Sequence, residues 1–105
     1  MIVIFSEGFH LQIEELIEIL FEKEYFGFEE DCYIYAGKIY DFVEDSIEKP
    51  ISKATPEKFK KHGKFYIKYK ANHRTHWYIF FNQKGNQILV NYILNNHNHD
   101  FPELI

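Results

Sequence analysis

The chain has 105 residues, is 46% hydrophobic and 19% aromatic with 11 Phe and 8 Tyr, and carries a formal net charge of -4. That length fits one domain, 1–105, since independent domains run from about 50 to 200 residues, and the apolar content is too high for a disordered chain. The lone Cys32 excludes an internal disulfide, the run Trp77 to Phe81 is too short to span a membrane, and Met1 to Phe5 lacks the regions of a signal peptide, so a cytoplasmic, membrane-free location is expected.

Ile2 to Phe5 is a β-branched and aromatic run ending at Ser6-Glu7-Gly8, which predicts a short buried strand meeting a turn or cap. Phe9, Ile13, Leu16, Ile17 and Leu20 then recur at helical spacing, with Glu14, Glu15, Glu18 and Glu22 on the other faces. Gly27 supplies a stop. Cys32, Ala36, Ile39, Tyr40, Val43 and Ile47 form a second helical stripe bounded by Pro50, so a helical hairpin is expected. Gly37 within it is explained if another backbone approaches closely there. Thr55-Pro56-Glu57 reads as a capped start for one or two helical turns that stop at Gly63. Phe65, Ile67 and Tyr69 alternate with Tyr66, Lys68 and Lys70 in the period of a strand. A strand from His76 to Asn82, a four-residue turn Gln83-Lys84-Gly85-Asn86 and a strand from Ile88 to Leu94 complete an antiparallel meander.

Charge is divided along the chain. Residues 1–50 hold 13 Asp and Glu against three lysines, a net of -10, whereas residues 51–105 hold nine Lys and Arg against three acids, a net of +6. His62, His73, His76, His97 and His99 also lie in the basic half. Such asymmetry points to a polyanion partner for one half or a basic partner for the other, against solvated helix faces and a Lys-rich loop as the plain alternative.

Gly63-Lys64-Phe65-Tyr66-Ile67-Lys68-Tyr69-Lys70, then His73-Arg74-Thr75-His76-Trp77-Tyr78-Ile79-Phe80-Phe81, then Ile88-Leu89-Val90-Asn91-Tyr92-Ile93 carry a resemblance along nearly the whole chain. With the β-α-α-β-β-β order, this stretch resembles the central sheet of the RelE/ParE superfamily of bacterial toxins, Arg74 standing near the family's sheet arginine. The tail Asn95-Asn96-His97-Asn98-His99-Asp100 is similar to the short polar end used by ribosome-dependent members. The resemblance implies an α+β fold, RelE/ParE-like, with a helical hairpin packed on a small mainly antiparallel sheet. It further implies the toxin of a type II toxin–antitoxin module, a ribosome-dependent mRNA endonuclease that needs no metal or other cofactor, with a cognate antitoxin, the ribosome and mRNA as partners. The alternatives are a ParE-like, non-nucleolytic inhibitor of DNA gyrase and a non-toxic member that serves only as a binding partner.

Cleavage through the 2′-hydroxyl requires a base, a cation for the developing phosphate charge and an acid for the leaving oxygen. His97 and His99 fit the proton steps, because an unperturbed imidazole titrates near about 6.5. The plain alternative for both is a solvent-exposed tail, and metal capture by His97-x-His99 would lack further ligands. Arg74, the only arginine, suits bidentate phosphate contact, against a surface arginine paired with Asp100. Lys68 and Lys70, with Lys58, Lys60, Lys61 and Lys64 before them, fit an RNA backbone, and Tyr92 could add a hydroxyl. Trp77, Tyr78, Phe80 and Phe81 are expected in the core rather than stacked on bases.

Overall fold

A computed structural model describes residues 2–22, 28–47 and 52–96. Gly27, Pro50, His97, His99 and Asp100, to which the sequence assigns boundaries or roles, lie outside them. The elements are β1 (Ile2–Phe5), α1 (Glu7–Glu22), α2 (Glu29–Ser46), β2 (Lys53–Ala54), a 3-10 helix (Glu57–His62), β3 (Phe65–Lys70), β4 (His76–Lys84) and β5 (Gln87–Asn95).

Ser6 makes the first turn possible. Its Oγ accepts the Phe9 N–H at 3.1 Å, capping α1, while its own N–H donates to the Val90 carbonyl at 2.9 Å. One residue therefore ends β1, starts α1 and fixes both against β5. The helical stripes fall where their spacing puts them. Phe9 and Ile13 of α1 and Cys32, Ala36, Ile39 and Val43 of α2 are buried. Gly37 is different from expectation: no atom beyond its own helix lies within 4 Å of where a Cβ would stand, so no backbone approaches it. Its cost of about 1 kcal/mol against Ala has no packing compensation among the described residues.

The sheet has five strands in the order β1-β5-β4-β3-β2. The meander is antiparallel as expected, with Ile67 opposite Ile79 and Ile79 opposite Ile93. Two strands extend it. β1 runs parallel to β5, and the two-residue β2 pairs antiparallel with the start of β3. The β4–β5 turn is also tighter than the four-residue connection the sequence suggests. Lys84 pairs with Gln87, leaving Gly85-Asn86 as a two-residue turn, which the φ of 59° at Gly85 permits. In β5, Phe80 faces Tyr92 and Phe81 faces Val90, so Asn91 is the extra residue of a β-bulge. The bulge keeps Val90 and Ile93 on one face although they are three positions apart, an odd number.

That face packs on the helices, with Ile67, Trp77, Ile79, Phe81, Ile88, Val90 and Ile93 against Phe9, Ile13, Ala36, Ile39 and Val43. The opposite face is covered in part by the 3-10 helix, whose Phe59 packs on Tyr66, Tyr78 and Phe80. Cover on both sides explains why Trp77, Tyr78, Phe80 and Phe81 are all buried, as a continuous apolar run should be. Thr55 does not cap this helix: Pro56 holds the cap position, and Thr55 donates its backbone N–H to the Lys64 carbonyl instead. Gly63 ends the turn with its would-be Cβ 2.7 Å from Phe81 N.

Candidate nucleic-acid interface

The face turned away from the helices has two halves with different chemistry. Alternation along each strand and the register across them place Lys53, Tyr66, Lys68 and Lys70, then His76, Tyr78 and Phe80, then Tyr92 and Leu94 on that face. At one end the 3-10 helix lies on the aromatic residues. His62 stacks flat on Tyr92, with centroids 3.7 Å apart and planes at 4°, and its ring also meets Phe80 at 5.7 Å. Burial followed by the neighbouring Lys61 charge holds the His62 imidazole below its ordinary value.

At the other end, where β3 turns into β4, no described helix lies over the face. Lys68 stands opposite Tyr78 and Lys70 opposite His76, with both lysines exposed and His76 half-buried. His76 is pushed below its ordinary value by desolvation and then by the charges of Lys68 and Lys70, both of which favour its neutral form. The connecting loop is ordered by Asn72, whose Oδ1 accepts the N–H groups of Arg74 at 2.8 Å and Thr75 at 3.0 Å. Arg74 is thereby held, exposed, at the lip of the same end.

Asn96 ties the end of β5 to this place. Its Nδ2 donates to the Arg74 carbonyl at 2.9 Å, its Oδ1 accepts the His76 N–H at 3.0 Å, and its N–H donates to the His76 carbonyl at 3.1 Å. The residue immediately before His97 is thus fixed beside Arg74 and His76.

The residues expected to bind RNA therefore separate. Lys68, Lys70 and Arg74 share the β3–β4 end with His76. Lys58, Lys60 and Lys61 ride on the 3-10 helix, and Lys60 pairs with Glu57 at 3.0 Å. Lys64 follows that helix, its N–H bonded to Asn82 Oδ1 at 2.9 Å. Tyr92 is half-buried with one ring face occupied by His62. His76 and Lys53 were not singled out by sequence reasoning. Counting by two from Lys68 and Lys70 across a hairpin of uncertain loop length could have suggested His76, whereas nothing local marks Lys53–Ala54 as a strand.

Among the described residues, no three His, Cys, Asp or Glu side chains gather into a group able to hold a metal ion. None of the described helices is long and apolar enough to cross a membrane. No family model, curated protein or solved structure matches the chain.

Proposed function

We propose that the chain is an RNA-cutting toxin of a type II toxin–antitoxin pair, acting on mRNA at the ribosome, with a cognate antitoxin as its cellular partner. The observation that supports this reading best is the β3–β4 end of the sheet, where Lys68 and Lys70 flank His76 beside Arg74 and the origin of the His97–His99 tail. Lysines and an arginine on one side of a sheet suit a phosphate backbone, and an imidazole among them, whose neutral form is favoured by desolvation first and by the lysine charges second, can act as a base.

In this reading the 2′-oxygen attacks the adjacent phosphorus, the P–O5′ bond breaks, and a 2′,3′-cyclic phosphate and a free 5′-hydroxyl result. His76 takes the 2′-hydroxyl proton, Arg74 and the two lysines stabilise the charge on the phosphoryl oxygens, and His97 or His99 returns a proton to the leaving 5′-oxygen.

The test is brief expression of the wild type and of Arg74→Ala, His76→Ala, His97→Ala and His99→Ala, with mapping of new mRNA ends on translating ribosomes. Arg74→Ala is expected to slow cutting about 10²–10³-fold, and loss of a proton-transfer histidine about 10²–10⁴-fold. Toxicity without new mRNA ends would turn the assignment toward the gyrase-inhibitor reading. Cuts at full rate in all four variants would remove these residues from the site.

A further inference from the structure

The helical hairpin carries a second concave surface with the opposite charge. Glu14, Ile17, Glu18 and Phe21 of α1 and Glu29 and Tyr33 of α2 line a groove of about 360 Å³. Of its apolar lining, Ile17 also packs against the core, whereas Phe21 and Tyr33 project away from it. Phe21 is 48% and Tyr33 57% exposed, although the stripes that pack on the sheet are nearly fully buried. Large aromatic side chains left open beside one another mark an interaction surface more often than a solvated helix face does.

Tyr40 closes one end of the groove. Tyr40 hydrogen-bonds His10 Nδ1 at 2.6 Å and packs its ring on Phe5 and Phe9, sealing the helices together there. One helical turn before it stands Gly37, and one turn further Tyr33, the three lying on a single stripe of α2. Glycine is a poor helix former, and the space beside Gly37 is empty within 4 Å of a Cβ position. A partner that covers this stripe would use that space.

Charge decides the kind of partner. The walls carry Glu14, Glu18 and Glu29, neither helix has a basic residue in its last turn, and the half of the chain that contains them is at -10. Nucleic acid and anionic lipid surfaces are repelled by such walls, whereas a cationic protein segment is attracted. An apolar floor between two helices suits the stripe of an amphipathic helix, whose anchors recur every three to four residues.

We propose that this groove docks a cationic amphipathic helix of a partner protein. Its apolar stripe lies on Ile17, Phe21 and Tyr33, and its lysines or arginines meet Glu14, Glu18 and Glu29. The inference is independent of the reading of the sheet face.

The test uses a synthetic helical peptide of about 14 residues, with Leu at i, i+3, i+4 and i+7 and Lys on its flanks. A matched peptide with Glu in place of Lys is the control. Amide chemical shifts of the full chain locate the peptide, and titration measures its affinity. The Lys peptide is expected to shift groove residues, to weaken with added salt, and to lose about tenfold or more in affinity in Glu14→Lys/Glu18→Lys and in Tyr33→Ala. Glu44→Lys/Asp45→Lys, which reverses the same charge elsewhere on α2, should change affinity little. Far-UV circular dichroism checks that each variant is folded. Equal weakening by both charge reversals, equal binding of the Glu peptide, or shifts confined to the sheet face would overturn the proposal. So would self-association of the free chain that the groove variants abolish, since the occupant would then be a second copy.

Discussion

A Cβ at Gly63 would stand 2.7 Å from Phe81 N and 2.8 Å from Phe81 O, backbone atoms that cannot swing aside, and Gly63 has a φ of 155°. Gly63→Ala is therefore expected to destabilise the chain by roughly 1–3 kcal/mol or more, seen as a lower urea midpoint; an unchanged midpoint would show that the backbone gives way freely. Histidines set the pH response at the same scale. His62 and His76 both titrate below their ordinary value of 6.5 in the folded chain, through burial first and lysine charge second. The unfolded state then binds protons more readily, so their contribution is present above the unfolded value and is lost as pH falls through about 6.5 toward the folded values. Urea midpoints should drop between about pH 7.5 and 5.5, and the drop should shrink in His62→Gln/His76→Gln. An identical pH slope in that variant would place the response on other groups.

Among the elements, β5 shows how a sheet edge is closed without a strand. β1 pairs with β5 only from Gln87 to Val90. Beyond that, Gln12 of α1 supplies the missing partner, its Nε2 donating to the Ile93 carbonyl at 3.1 Å and its Oε1 accepting the Ile93 N–H at 3.0 Å. Truncation to Gln12→Ala would leave a buried N–H and C=O without a partner at about 1–3 kcal/mol. Faster hydrogen exchange at the Ile93 amide should accompany the loss, and unaltered exchange would mean that water replaces the amide fully. The other edge is treated differently. β2 covers only Phe65 and Tyr66, and the rest of β3 carries Lys68 and Lys70, charges that discourage pairing with a further strand.

Over the whole molecule, the two charge classes separate by layer. The helices present Glu14, Glu18, Glu29 and their neighbours on one side, and the β3–β4 end of the sheet presents Lys68, Lys70 and Arg74 on the other. If single-stranded RNA lies on that end, its affinity must fall with salt through released counterions. Each phosphate contact removed by Lys68→Ala or Lys70→Ala should lower the slope of log affinity against log salt by about 0.7. Lys84→Ala, at the far end of β4, is expected to leave the slope as it is. Equal slopes for all three variants would move the RNA elsewhere.

Both helices, the antiparallel meander and the burial of Trp77 to Phe81 are legible in the sequence, because each is a local periodicity: helical spacing in Phe9 to Leu20, alternation in Phe65 to Lys70, a continuous apolar run in β4. The basic character of the second half is legible too, since charge needs only counting. Pairings between distant residues are not. That Ile2–Phe5 lies parallel to β5, that Lys53–Ala54 is a strand, and that Gln12 caps Ile93 depend on partners 81 residues away in the last case, for which local propensity carries no signal. The candidate site divides in the same way. Arg74, Lys68 and Lys70 stand out by residue type, but His76 joins them only because the hairpin register sets it opposite Lys70, and Asn96 only because three hydrogen bonds fold the end of β5 onto that hairpin. Residue chemistry is written in the chain itself, whereas adjacency across strands is settled by tertiary packing, in which the sheet must bury one face on the helices and the other under Phe59 and His62.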